Sequence, residues 1–181
     1  MKQIYWVRHC KAEGQSPEAP LTELGRQQAD ALADFLCECG IRYMVSSPFV
    51  RARDSVVPLA SQLGLPIVID NRLSERNLGD AGSDWDAVLP NFKRTFDNLD
   101  LVFPGGESSR TAMNRAIATV NDALKHEGSV LMASHGNLTT LLLKYYDPSY
   151  GFTSWQALTN PDVFVLTFDT SCVSIERIWT A

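Results

Sequence analysis

With 181 residues, 45% of them hydrophobic and 20% charged, the chain has the size and composition of one globular domain, read as spanning 1–181. Sixteen basic against 21 acidic residues give a net charge of −5, and no basic run tracks a phosphodiester backbone, so nucleic acid is not expected as a partner. No apolar stretch nears the ~20 residues of a membrane span, and the first residues lack the apolar core and cleavage site of a signal peptide, which predicts no membrane partner and a cytoplasmic location.

The first element is the run Ile4-Tyr5-Trp6-Val7, apolar without alternation and therefore expected to be a strand buried on both faces. Arg8 and His9 follow without a spacer, at the carboxyl tip where open α/β sheets build their sites. Lys11 to Pro20 reads as a polar loop. Thr22 is the expected N-cap of a helix that keeps Leu21, Leu24, Leu32, Phe35 and Leu36 at helical spacing and closes at Gly40. A short strand over 41–46 leads to Ser47-Pro48, which signals a second helix with Ser47 as N-cap and Pro48 at the first position. Arg51 then falls in its first turn, and Pro58 marks a kink or a break.

Residues 65–70 read as a third strand, 72–83 as a charged, glycine-containing loop, and 84–99 as a helix complicated by Pro90. Pro104-Gly105-Gly106 is a turn, and Ser108 caps a long helix carrying Met113, Ile117, Val120 and Leu124. A buried strand over 129–133 ends in Ser134-His135-Gly136, with a helix through 138–145 directly behind it. Alternation over 163–168 and 172–179 predicts a terminal hairpin. Strands alternating with helices define an α/β class, a three-layer α/β/α sandwich around a mainly parallel sheet.

Cys10, Cys37, Cys39 and Cys172, with only three histidines, offer no paired metal-ligand spacing, so neither a metal nor a disulfide framework is expected. The groups that carry chemistry sit at strand ends: Arg8-His9, Arg51 one turn beyond Ser47, and His135. On one edge of a parallel sheet these can meet. Two guanidinium forks suit the oxygens of a phosphoryl group, and two imidazoles allow one nucleophile and one oxygen ligand.

Val7-Arg8-His9, Pro20-Leu21-Thr22-Glu23-Leu24-Gly25, Ser46-Ser47-Pro48-Phe49-Val50-Arg51-Ala52, Arg72-Leu73-Ser74-Glu75, Gly105-Gly106-Glu107-Ser108 and Ser134-His135-Gly136 occur in that order across nearly the whole chain. The ordered set resembles the histidine phosphatase superfamily, also called the phosphoglycerate mutase-like family. The resemblance implies a phosphoglycerate mutase-like fold and a phosphomonoester phosphatase acting on a small phosphorylated metabolite, with no metal and no other cofactor. It implies a phosphohistidine on His9, phosphoryl oxygens held by Arg8, Arg51 and His135, and Glu75 protonating the departing alkoxide before activating water. Gln15 and Gly136 stand where the family places substrate-binding positions.

Alternatives are a phosphoglycerate mutase-type transferase and a noncatalytic phospholigand-binding module. The family's mutases are longer, with insertions that enclose a bisphosphate and for which this chain has little room. A cysteine-based phosphatase needs a C-x5-R loop, which neither Cys10 nor Cys39 begins. Glu13, Asp80, Asp84 and Glu107 rival Glu75 as the acid. Cys10 stands where the family usually has glycine, and a thiol beside two arginines is expected to be acidified and oxidisable. Lys11-Ala12 replace an acidic residue and a threonine common among relatives. Trp85, Phe92, Phe96 and Trp155 read either as an apolar wall of the site or as core, and the sequence specifies no oligomeric state.

Overall fold

The computed structural model describes residues 1–80, 84–170 and 172–179, so the final residues of the loop expected over 72–83 lie outside the described residues. Six strands form one sheet in the order β3-β2-β4-β1-β5-β6. They are β1 (Lys2–Arg8), β2 (Ile41–Ser46), β3 (Ile67–Ile69), β4 (Ser129–Ser134), β5 (Asp162–Phe168) and β6 (Val173–Arg177). The first four run parallel, while β5 is antiparallel to β1 and β6 to β5, which gives the mainly parallel sheet and the terminal hairpin expected.

The unbroken apolar run of β1 is explained by burial on both sides. Ile4 and Trp6 pack into one core with β4, α5 (Ser109–Ala123) and α6 (Gly136–Tyr146). Tyr5 and Val7 pack into the other with α1 (Glu23–Leu36) and α3 (Val57–Leu63). The period-two geometry of a strand sends alternate side chains to these two layers, and helices close both faces. Trp6 has no water to bond with, and its indole Nε1 donates to Thr139 Oγ1 at 2.8 Å. That hydroxyl in turn donates to the His135 carbonyl at 2.6 Å, tying the centre of β1 to the start of α6.

Thr22 caps α1 as expected, its hydroxyl accepting from Gly25 N. Gly25 is required there by proximity: a Cβ would meet the Lys11 carbonyl oxygen at 2.0 Å, so the helix start and the loop after His9 interlock. Leu24 and Phe35, which helical spacing places on the inner face, are instead exposed.

The Ser47-Pro48 reading needs correction. The helix α2 (Val50–Asp54) begins after Phe49, and Ser47 is not its N-cap, because its hydroxyl is engaged with a histidine. Pro58 does break the segment, lying in the first turn of α3, where its missing N–H leaves no bond unmade. The helix α4 (Trp85–Arg94) is capped by Asp84 and stops five residues short of the expected end, and β3 spans three residues. Unforeseen was the short helix α7 (Phe152–Gln156).

Candidate active site

The order β2-β4-β1 sets three strand ends side by side. Register pairs Arg8 with Ser134 and Ser46 with Ala133, so the residues just past each strand, His9, His135 and Ser47, emerge together on the carboxyl edge. Residues separated by up to 126 positions meet because the sheet aligns them.

His9 is 8% exposed, and its Nδ1 lies 2.7 Å from the Cys10 carbonyl oxygen. A carbonyl only accepts, so the proton resides on Nδ1 and the lone pair on Nε2. Arg51 Nε donates to that Nε2 at 3.3 Å. Burial, reinforced by the charges of Arg51 and Arg8 and opposed by the bond to the Cys10 carbonyl, pushes the imidazole pKa down to about 3. The ring is held neutral.

The ring of His135 stands 5.2 Å from that of His9 at 60°, with the Phe49 ring 4.9 Å away. His135 is fully buried, and its Nε2 lies 2.8 Å from Ser47 Oγ. The Ser47 oxygen also accepts from Phe49 N. The opposite nitrogen, Nδ1, is buried with no partner among the described residues. Burial, then the neighbouring His9 and three arginines, hold the His135 pKa well below its ordinary value.

Both expected guanidiniums arrive. Arg51 is 1% exposed, and its Nη1 holds the carbonyls of Gln15 and Ser16 at 3.1 and 2.8 Å. Arg8 spends Nη1 on the carbonyls of Leu158 and Thr159, while its Nε is buried and unpartnered among the described residues. Arg8 lies directly over Gly136, where a Cβ would stand 3.1 Å from Nε. The glycine after His135 thus makes room for a guanidinium.

Glu75 sits at the amino end of α6, its Oε2 accepting from Asn137 N at 2.9 Å and its Oε1 from Leu138 N at 3.0 Å. A carboxylate fits that end of a helix through both free N–H groups and the dipole. Of the rival acids, Glu107 is paired to Arg115 at 2.6 Å, Asp84 caps α4, and Glu13 and Asp80 are exposed. Glu75 is thus bonded to the chain directly after His135 and borders the cleft with His9, a cleft that Glu107 borders too. Gln15 borders the cleft, and the bond to Arg51 runs through its backbone rather than its amide.

A cleft of about 1210 Å³ opens over this edge, with Arg8, His9, Arg51, Glu75 and Gly136 in its wall. Trp85 and Trp155 line it as well, backed by Phe92, which like Phe96 is buried in the core. Among the described residues no group of three or more His, Cys, Asp or Glu side chains is placed to hold a metal ion. No helix among them is long and apolar enough to cross a membrane.

The expectation for Cys10 is overturned. Its side chain is fully buried in the α1/α3 core, and burial pushes the thiol up to about 11, against the hydrogen bond from Ser55 that lowers it. The thiol is a packing group of that core, and Cys10 needs no left-handed backbone. Two participants escaped sequence reasoning. Ser47 lay within a quoted motif yet was assigned to a cap, and Asn160, whose amide donates to the His9 carbonyl at 2.7 Å, carried no local signal.

A mainly parallel α/β sheet that gathers two imidazoles and two guanidiniums at its carboxyl edge defines a phosphoryl-handling protein. The chain belongs to the histidine phosphatase superfamily (branch 1), whose family model matches residues 4–180. It is 34% identical over 152 residues to the probable phosphoglycerate mutase GpmB of Shigella dysenteriae, covering 75% of this chain and 70% of that protein. The mycobacterial glucosyl-3-phosphoglycerate phosphatase in complex with inorganic phosphate superposes with a TM-score of 0.80 at 26% identity, covering 100% of this chain and 98% of its own. A putative alpha-ribazole-5'-P phosphatase from Escherichia coli shares the fold, with a TM-score of 0.76 at 17% identity over 99% and 96% of the two chains.

Proposed function

We propose that this chain hydrolyses a small phosphorylated metabolite through a phosphohistidine on His9. The observation that carries the reading is the fixed tautomer of His9: the Cys10 carbonyl takes the Nδ1 proton, leaving the Nε2 lone pair beside Arg51 in the wall of the cleft. Nε2 attacks phosphorus in line, the P–O bond to the leaving group breaks, and Glu75 gives that oxygen a proton. Water then attacks the phosphohistidine and passes a proton to Glu75, releasing phosphate and the neutral imidazole.

Charge develops on the phosphoryl oxygens in both steps. Arg51 and the free donors of Arg8 answer it from the cleft. In this reading the Ser47 hydroxyl is the donor to His135 Nε2, so the His135 proton lies on Nδ1, an otherwise unsatisfied atom on a ring 5.2 Å from that of the nucleophile. A phosphoryl oxygen on His9 supplies the acceptor that this atom lacks.

Hydrolysis rather than mutase transfer is supported by the end-to-end match to a glucosyl-3-phosphoglycerate phosphatase, against 70% coverage of the phosphoglycerate mutase relative. Parallel assays of phosphate release from a chromogenic aryl phosphate and of 2- and 3-phosphoglycerate interconversion test the reading. Release of phosphate that disappears in His9→Ala supports it; mutase turnover with negligible hydrolysis overturns it.

A further inference from the structure

Phosphate esters differ in what lies beyond the phosphoryl group, and the cleft is not neutral on that point. Trp85 from α4 is 43% exposed although large and apolar, and it lines the cleft beside Trp155 from α7. The Phe92 ring packs 4.8 Å from Trp155 and 5.3 Å from Trp85, and Phe152 stacks on Trp155 at 5.6 Å from behind. The two indoles stand 6.3 Å apart with their planes tilted by 50°, braced by these phenylalanines. An exposed indole in a cleft offers a flat, polarisable face to a ring.

The cations in the same wall are already engaged. Arg76 is buried, and its three nitrogens donate to the Glu107 carbonyl, the Thr95 hydroxyl and the Leu101 carbonyl. Arg115 pairs with the Glu107 carboxylate at 2.6 Å and holds the Arg72 and Ser74 carbonyls through Nη1. Neither stands ready for a second anion, and binding one beside Glu107 would bring like charges together. Lys11, exposed on the loop after His9, is the remaining cation of the wall outside the phosphoryl site.

We propose that the cleft selects an uncharged, ring-bearing leaving group that stacks on Trp85 with its edge against Trp155, and disfavours acidic leaving groups such as glycerate. This rests on the phosphomonoesterase reading and names its substrate class. It also separates the chain's preference from the phosphoglycerate chemistry named in two of its relatives.

The test compares kcat/KM for phenyl phosphate, glucose 6-phosphate and a nucleoside 5'-monophosphate with that for glycerol 3-phosphate and 3-phosphoglycerate, in wild type, Trp85→Ala, Trp155→Phe and Lys11→Ala. At least one ring substrate should exceed both acyclic esters by about ten-fold, and Trp85→Ala should cut that preference about ten-fold. Trp155→Phe keeps a ring and should retain most of it. If 3-phosphoglycerate is best and fails selectively in Lys11→Ala, or if Trp85→Ala slows every ester alike, the proposal is overturned. Calorimetric binding of phenyl phosphate and 3-phosphoglycerate to His9→Ala reads the preference without turnover. Absent hydrolysis in wild type therefore sinks the phosphatase reading, while tighter binding of 3-phosphoglycerate sinks this one.

Discussion

The two parts of the cleft are built by different means. The phosphoryl part stands on the ends of β1, β4 and β2, where backbone register alone brings His9, His135 and Ser47 together. Its side chains are locked by partners: a carbonyl for His9, a hydroxyl for His135, loop carbonyls for Arg51. The aromatic part stands on α4 and α7, outside the sheet, and its members hold one another by ring packing. Chemistry is thus fixed by the most rigid feature of the fold, and selectivity is carried by elements that can change without disturbing it.

Substitutions in the phosphoryl part should strike turnover of every ester equally, and this is where the contrast is most easily broken. His9→Ala should lower kcat by roughly 10³-fold or more for ring and acyclic substrates alike; loss confined to one class would erase the distinction. Arg51→Ala should cost on the order of 10² to 10³ in kcat, since it removes a preorganised donor to the phosphoryl oxygens. Ser47→Ala should lower kcat about ten-fold with little change in KM, because it frees the tautomer of a buried imidazole. An unchanged kcat would mean that the serine is packing only.

A different expected effect is a pH dependence of stability. His9 and His135 are kept neutral in the fold, His9 down to about 3, whereas an unfolded histidine titrates at its ordinary value. Below roughly pH 6.5 the unfolded chain therefore binds protons that the folded chain refuses, so stability falls as pH drops. Each such histidine contributes a slope of about 1.4 kcal/mol per pH unit between that value and its folded pKa. Urea unfolding between pH 6 and pH 4 should show a shallower slope in His9→Ala by about that amount, while the wild-type kcat persists at pH 5. An identical slope would place the imidazole in water-like surroundings.

The same contrast explains how much was legible in the sequence. The strand-end motifs and the order of the elements were readable because each is local: an unbroken apolar run, a cap, a residue directly after a strand. Arg8, Arg51 and His135 were accordingly named from short segments and lie at the carboxyl edge, whereas Glu75 was implied only by the family resemblance. Ser47 was misread because a Ser-Pro pair is locally a helix start, and only the arrival of His135 from 88 positions away gives the hydroxyl its use. Cys10 was misread because the sequence shows neighbours but not direction, and the strand end turns its thiol into the core. The aromatic wall stayed ambiguous, since ring spacing on α4 cannot reveal that α7 packs beside it.

The most direct measurement of the central claim is acid and alkali quenching of the enzyme with phosphoryl-labelled substrate, followed by peptide mapping. The account predicts an acid-labile, alkali-stable label on His9, absent in His9→Ala and retained in Cys10→Ser. An acid-stable label, or one that survives in His9→Ala, would contradict it.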